Sequence, residues 1–167
     1  YTNQINNNTD FVKAKDFYLK KITANWKTFD SYQLGQTALV LHRNGNKTEP
    51  TKIITLLKQT AQQSDEMGMY WAKNTSGWWW YQSPIETQTL LIEAFDEVTA
   101  DSTAVQEMKI WLLKNKQTND WKTTKATAAA CYALLMKGYD ILSENNEPEI
   151  RIGNQNIADL GIANLPK

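Results

Sequence analysis

The chain has very few side chains of the kinds that bind transition metals or form nucleophilic pairs. Among 167 residues there is one cysteine, Cys131, and one histidine, His42. They lie in different predicted helices with no paired spacing, so no zinc site is expected. No Ser-His-Asp arrangement and no phosphate-binding glycine loop is present. We therefore expect no catalytic residue, no metal and no cofactor, and we expect Cys131 to be a small buried hydrophobic side chain.

An excess of one charge and a long apolar run are also missing. Eighteen Lys and Arg balance eighteen Asp and Glu, so nothing electrostatic recruits nucleic acid or an anionic membrane. The longest apolar run, residues 126–136, is well short of the roughly 20 residues that a membrane span requires. We expect no nucleic-acid partner and no direct membrane insertion. The first residues do not resemble a signal peptide, and we interpret the chain as a piece of a larger protein.

What the chain does contain is a strong helical periodicity. Apolar residues recur at steps of three and four in six segments, which alternate between amphipathic and mostly apolar. The amphipathic segments are 11–26, 48–63 and 101–114, and the apolar segments are 32–43, 83–95 and 126–137. This repeat predicts three hairpins, each an outer helix followed by an inner helix. Inner helices that are apolar all round need neighbours on every side, which predicts a layered solenoid or a closed ring.

Local signals mark the ends and contacts of these helices. Ser31, Ser83 and either Thr123 or Thr124 are placed to cap the three inner helices. Ser83-Pro-Ile-Glu also has the spacing of a capping box. Small residues such as Gly35 are expected to let the inner helices approach closely.

The helical part is predicted to span residues 10–142. Residues 1–9 are predicted to be disordered or to be the edge of an excised piece. Residues 143–167 are predicted to be a linker and the start of a following β domain. The reason is that residues 149–153 alternate like a strand, after a run of turn-forming residues.

One long connection, residues 64–82, is rich in aromatic side chains. Four consecutive aromatic residues cannot all point into one core, so part of this surface is expected to make contacts. Three alternatives remain open: the loop plugs the end of the helical array with Met67, Met69, Trp71 and two of the tryptophans, contacts another protein, or stacks on sugar rings. The candidate binding residues are Tyr70, Trp71, Trp78, Trp79, Trp80 and Tyr81.

Three stretches resemble a known family. They are Gly68-Met-Tyr-Trp, residues 77–95, and residues 111–130, where Trp-Leu-Leu is followed by Gln, Trp, Thr-Thr and Ala. Over about residues 30–140 the chain resembles the helical thioester-domain region of bacterial alpha-2-macroglobulin-like proteins. This resemblance implies an all-α fold, an α/α toroid (terpenoid-cyclase-like), of which about three hairpins would be the C-terminal half. A short strand-like extension would then lead into a β-sandwich domain.

The resemblance also implies a function. The chain would be a non-catalytic helical domain of a large endopeptidase inhibitor, a protease trap. Its partners would be target proteases, reached through the full-length parent, and the neighbouring β-sandwich domains of the same chain. The parent would be periplasmic or at the cell surface of a bacterium, in some relatives as a lipoprotein.

The thioester of that family is not assigned to this chain. Its motif is Cys-x-Glu-Gln, whereas Cys131 is followed by Tyr132-Ala133-Leu134. Two alternatives remain for the function. One is a glycan-binding or glycoside-processing toroid domain, which would need paired carboxylates in an aromatic cleft. The other is a structural helical-repeat interaction module. The carboxylates near the aromatic loop in sequence are Glu86, Glu93, Asp96 and Glu97.

Overall fold

A computed structural model describes residues 9–74, 83–118, 121, 123–136, 151–152 and 155–156. This part of the chain is mostly helical, which confirms the predicted all-α class. The α-helices are α1 (Thr9–Asn25), α2 (Ser31–Arg43), α3 (Thr48–Thr60), α4 (Pro84–Thr99), α5 (Ser102–Thr118) and α6 (Thr124–Met136). The strands are β1 (Gln62–Ser64), β2 (Gly68–Tyr70), β3 (Arg151–Ile152) and β4 (Gln155–Asn156). None of the described helices is both long and apolar enough to cross a membrane.

The six helices lie at the six segments that the periodicity predicts, and we keep the names outer and inner for the amphipathic and the apolar ones. The inner helix α4 packs against the two other inner helices, α2 and α6. The outer helices α3 and α5 both pack on α4, and α3 also packs on α2. The first outer helix, α1, has few contacts and no buried residue. The middle of the array is therefore the best packed part.

The core is centred on α4. Leu91, Ile92 and Phe95 are fully buried there, and burying such a side chain stabilises a fold by roughly 1.5–3 kcal/mol. Gly35 in α2 faces this helix, and a Cβ atom on it would lie 2.9 Å from Leu91 Cδ2. The prediction that a small residue allows close helix approach is confirmed at this position.

The start of α2 differs from the prediction. Asp30, rather than Ser31, is its N-cap: the Asp30 carboxylate accepts a hydrogen bond from Gln33 N at 2.8 Å. Gln33 Oε1 accepts in return from Asp30 N at 3.1 Å, which completes a capping box. A carboxylate at this position also interacts favourably with the helix dipole. Because Asp30 occupies the N-cap position, Ser31 is the first residue inside the helix.

The other two inner helices begin near the predicted residues. Ser83 stands at the N-cap position of α4, but its side chain makes no capping hydrogen bond to the first turn. The predicted hydroxyl cap is therefore wrong for α4. Thr123 caps α6, because its Oγ1 accepts a hydrogen bond from Ala126 N at 3.0 Å.

The long connection after α3 contains a β-hairpin. The periodicity predicted a helix up to residue 63, but α3 ends at Thr60, so that boundary is wrong. Strands β1 and β2 pair antiparallel, with Gln63 opposite Met69. Gly68 has a φ of +68° and lies against α5. Non-local packing on α5 therefore shapes a segment whose local sequence reads as the end of a helix.

Helix α6 is less buried than predicted. Ala126, Ala130 and Ala133 are buried, but Tyr132 is 49% exposed and Leu135 is 52% exposed. Cys131 is exposed as well, so the expected burial of its thiol is wrong. Among the described elements α6 packs mainly on α4, and this contact covers only one side of the helix.

The predicted strand in the tail is present in a short form. Strand β3 pairs antiparallel with β4, with Arg151 opposite Asn156. Its partner therefore comes from the same tail. The remainder of residues 143–167 lies outside the described residues, and so do residues 1–8 of the predicted leading segment 1–9. The last residue of that segment, Thr9, begins α1.

Candidate functional site

A cleft of about 710 Å³ opens at the N-terminal ends of the inner helices α2 and α4. The C-terminal half of α3 and the segment after β2 complete its walls. The aromatic residues that line it are Phe29, Tyr32 and Trp71, and the charged ones are Asp30 and Lys73. A cleft with aromatic walls and a few polar groups is the usual form of a ligand site.

Trp71, one of the predicted binding residues, packs in the hydrophobic core. Its side chain is buried, and Nε1 donates a hydrogen bond to Leu57 O at 3.0 Å. Its ring meets Phe95 edge to face, with 6.1 Å between the ring centroids. The indole therefore fixes the chain after β2 against α3 and α4, and it forms one wall of the cleft.

Tyr70 lies in a different environment from Trp71. It is half-buried and stacks on Trp111 of α5, with ring centroids 6.4 Å apart and planes inclined by 19°. Such a pair adds roughly 0.5–1.5 kcal/mol beyond the burial of the rings. The structure thus places Tyr70 against α5 and Trp71 against α3 and α4.

The remaining predicted binding residues, Trp78, Trp79, Trp80 and Tyr81, lie outside the described part of the chain. The two described ends of their segment meet at the cleft. Asn74 Nδ2 donates a hydrogen bond to Pro84 O at 3.0 Å, and Asn74 also lines the cleft.

Two of the candidate carboxylates are bound by a cation. Arg43 Nη2 donates to Glu93 at 2.8 Å, and Arg43 also forms two hydrogen bonds with Glu97. The hydrogen bond to Glu97, followed by the one to Glu93, raises the pKa of Arg43 above its usual value. In the cleft itself Asp30 is the one acidic residue among those described, and its carboxylate caps α2. No pair of carboxylates therefore faces the cleft in this part of the structure.

Two buried polar side chains were not foreseen from the sequence. Gln88 is completely buried in α4, and its Nε2 donates to Met69 O at 2.8 Å. Lys109 in α5 is 3% exposed, and its Nζ donates to Leu134 O at 3.0 Å. Burial lowers the pKa of Lys109. Both residues join separate elements, and neither stands out from the periodic pattern that identified the helices.

The described residues contain no group of three His, Cys, Asp or Glu side chains placed to hold a metal ion. The chain matches no family model, no curated protein and no solved structure. Its function is therefore argued from the geometry and from the resemblance of its motifs.

Proposed function

We propose that the chain is a non-catalytic helical domain of a large alpha-2-macroglobulin-like endopeptidase inhibitor. Its three helical hairpins would form about half of an α/α toroid, and the parent would act in the periplasm or at the cell surface of a bacterium. The support comes from the motifs named above and from the distribution of exposed apolar side chains.

That distribution is the observation that carries the proposal. Among the described residues, the large apolar side chains that remain exposed are Phe11, Val12, Phe17 and Tyr18 in α1, Val40 in α2, Leu113 in α5, and Tyr132 and Leu135 in α6. None of those found in the described residues belongs to the middle pair, α3 and α4. A helical array that ends in water needs terminal repeats with a polar outer face. Exposed apolar side chains on the first and last helix pairs, with none on the middle pair, are therefore typical of an array that continues into further structure.

The residues of the resembling motifs have packing roles. Gly68 lies against α5, Gln88 binds β2, Trp111 stacks on Tyr70, and Thr123 caps α6. Each of these contacts fixes the position of one element relative to another. These packing contacts give each motif a role in holding a rigid helical domain together. The proposed non-catalytic role requires such a domain.

The proposal is tested with the full-length parent and a general endopeptidase such as trypsin. A trap encloses its protease, so hydrolysis of a large substrate such as casein should be lost while hydrolysis of a small chromogenic peptide is retained. Equal loss on both substrates, or no loss, would refute the trap. The 167-residue chain alone should neither inhibit nor cleave, and inhibition by this chain would also contradict the proposal.

A glycan-binding domain is the second candidate, because Phe29, Tyr32 and Trp71 line one cleft. Binding of chitohexaose and cellohexaose to the chain can be followed by tryptophan fluorescence. If the cleft binds sugars, Tyr32→Ala should abolish the fluorescence change, whereas Tyr18→Ala in α1 should not. No saturable change with either sugar would count against this candidate.

A further inference from the structure

The inner helices α4 and α6 begin alike, so their positions can be matched. Ser83 stands at the N-cap position of α4, and Thr123 caps α6. Counted from these two residues, five positions along α4 are no more than 2% exposed: Thr87, Gln88, Leu91, Ile92 and Phe95. The five matching residues of α6 are all exposed: Thr127, Ala128, Cys131, Tyr132 and Leu135. We call these five residues of α6 the α6 stripe.

The contacts of α4 show what covers these positions in a completed pair. Gln88 donates to Met69 O in β2 and to Met108 O in α5, at 2.8 and 3.4 Å. Phe95 packs against Trp71, which follows β2. Leu91 faces Gly35 of the neighbouring inner helix α2. The cover of α4 thus includes α2, the hairpin that comes before α4 in the chain, and the outer helix of the next pair.

The α6 stripe has the form of a helix-packing surface. The other four residues lie one, four, five and eight positions after Thr127 in the sequence. They therefore form one continuous row about 12 Å long along the helix. The row contains no ionisable acid or base of the Asp, Glu, Lys or Arg type, and it combines the small Ala128 with the larger Tyr132 and Leu135. Small and large side chains side by side allow the ridges of one helix to fit the grooves of another.

We propose that the α6 stripe is the docking surface of a further helical hairpin from the same polypeptide. This inference rests on the proposed function, in which the chain is part of a larger helical domain. The occupant is a hairpin rather than a charged partner, because the stripe is uncharged and because the matching positions of α4 are covered by α2, β2 and α5 of the same chain.

Cys131 is a built-in probe of this surface, since it lies within the stripe and is the only cysteine of the chain. Its alkylation by iodoacetamide is measured by mass spectrometry in the 167-residue chain and in the longer polypeptide that contains it. We expect the reaction to be roughly tenfold or more slower in the longer polypeptide, because a covered thiol reacts only when the surface opens locally.

A matched control is the Cys131→Ala chain with Thr103→Cys in the first turn of the outer helix α5. Thr103 is exposed and lies outside the stripe, so Thr103→Cys should react at the same rate in both polypeptides. Leu135→Glu adds a second measurement. It should leave the Tm of the 167-residue chain unchanged and lower the Tm of the longer polypeptide.

Four results would overturn the proposal. They are equal alkylation rates in the two polypeptides, slow alkylation in the 167-residue chain itself, protection that rises with protein concentration, and a gene without further helical pairs. Slow alkylation in the chain would mean that its own residues cover the stripe, and concentration dependence would mean that a second copy does. Protection of Cys131 in a parent that fails to trap trypsin would support the docking surface and refute only the inhibitor.

Discussion

Arg43 at the end of α2 and Glu97 in α4 form a bidentate ion pair. Arg43 Nε donates to Glu97 Oε1 at 2.8 Å, and Nη2 donates to Oε2 at 2.7 Å. Nη2 also donates to Glu93, one helical turn before Glu97. A cation at the C-terminus of a helix is favoured by the helix dipole as well. One guanidinium therefore joins two inner helices and forms hydrogen bonds with two neighbouring carboxylates.

We expect Arg43→Met to lower the free energy of unfolding by about 1 kcal/mol. The side chain of Arg43 is half exposed, which limits the ion pair to about 1 kcal/mol or less. The substitution also leaves Glu93 and Glu97 as like charges at i and i+4, which costs a few tenths of a kcal/mol more. Urea unfolding at low and high salt measures both effects. Arg43→Lys should recover only part of the loss, and a loss that salt leaves unchanged would contradict this account.

Gly68→Ala should be far more destabilising than Gly45→Ala. Both glycines have a positive φ, +68° and +84°, so each alanine pays about 1–2 kcal/mol for the left-handed backbone. At Gly68 the new Cβ would also clash with the backbone oxygen of Glu107, whereas nothing lies within 4 Å at Gly45. We expect a loss of about 3 kcal/mol or more for Gly68→Ala, because relieving such a clash adds roughly 1–3 kcal/mol. Equal losses in urea unfolding would show that the hairpin does not pack tightly on α5.

The helices were predictable because their signals are local. Apolar spacing places all six, and Thr123 caps α6 as its position before an apolar run suggests. The end of α3 and the hairpin after it were not predictable. Residues 61–63 continue the amphipathic pattern of a helix, and only the fit of Gly68 against α5 shows why the chain turns back. Contacts between distant segments decide such cases, and periodicity contains no information about them.

The candidate site was predictable only in part. The aromatic segment pointed to the region after α3, but the cleft is also lined by Phe29 and Tyr32, which come from the start of α2. Nothing in the local pattern brings these residues together. Likewise, the apolar character of α6 predicts burial, but burial depends on a neighbour, and Cys131 is exposed.

Gln88→Glu should be strongly destabilising at pH 7, and Gln88→Met should not. Gln88 Nε2 donates to Met69 O, while Oε1 has no hydrogen-bond partner. Methionine removes both the bond and the unsatisfied oxygen, so these changes offset to within about 1 kcal/mol. A buried, unpaired carboxylate costs roughly 3–5 kcal/mol.

The pH dependence of Gln88→Glu gives an independent check. Burial should raise the pKa of the new carboxyl group in the folded state, because burial disfavours its charged form. Stability is then regained as the pH falls through the raised folded pKa, since the folded state binds the proton more tightly than the unfolded state. Chemical unfolding of Gln88→Glu from pH 8 to pH 5 measures this gain, with Gln88→Met as the control. A flat profile relative to the control would mean that the site admits water.

Asp101 caps α5 and binds Lys58 of α3, and the two roles can be separated by substitution. Its Oδ1 accepts from Ala104 N at 3.1 Å, and Lys58 Nζ donates to Oδ2. The hydrogen bond from Lys58 is the main cause that lowers the pKa of Asp101 in the folded state. Asp101→Asn keeps the cap oxygen and loses the ion pair, which costs about 1 kcal/mol or less. Asp101→Ala loses both, and a lost cap adds about 1 kcal/mol.

The lowered pKa of Asp101 fixes how its contribution depends on pH. A carboxyl group with a depressed folded pKa stabilises the fold fully above its unfolded pKa, near roughly pH 4. As the pH falls through the folded pKa, the group takes up a proton and this stabilisation is lost. The difference in unfolding free energy between the native chain and Asp101→Asn should therefore be constant from pH 7 to about pH 5 and shrink below about pH 4. Lys58→Met should show the same difference from the native chain and the same decline in acid, since it removes the same ion pair from the other side. A difference that persists unchanged in acid would assign the effect of Asp101→Asn to the cap instead of the ion pair.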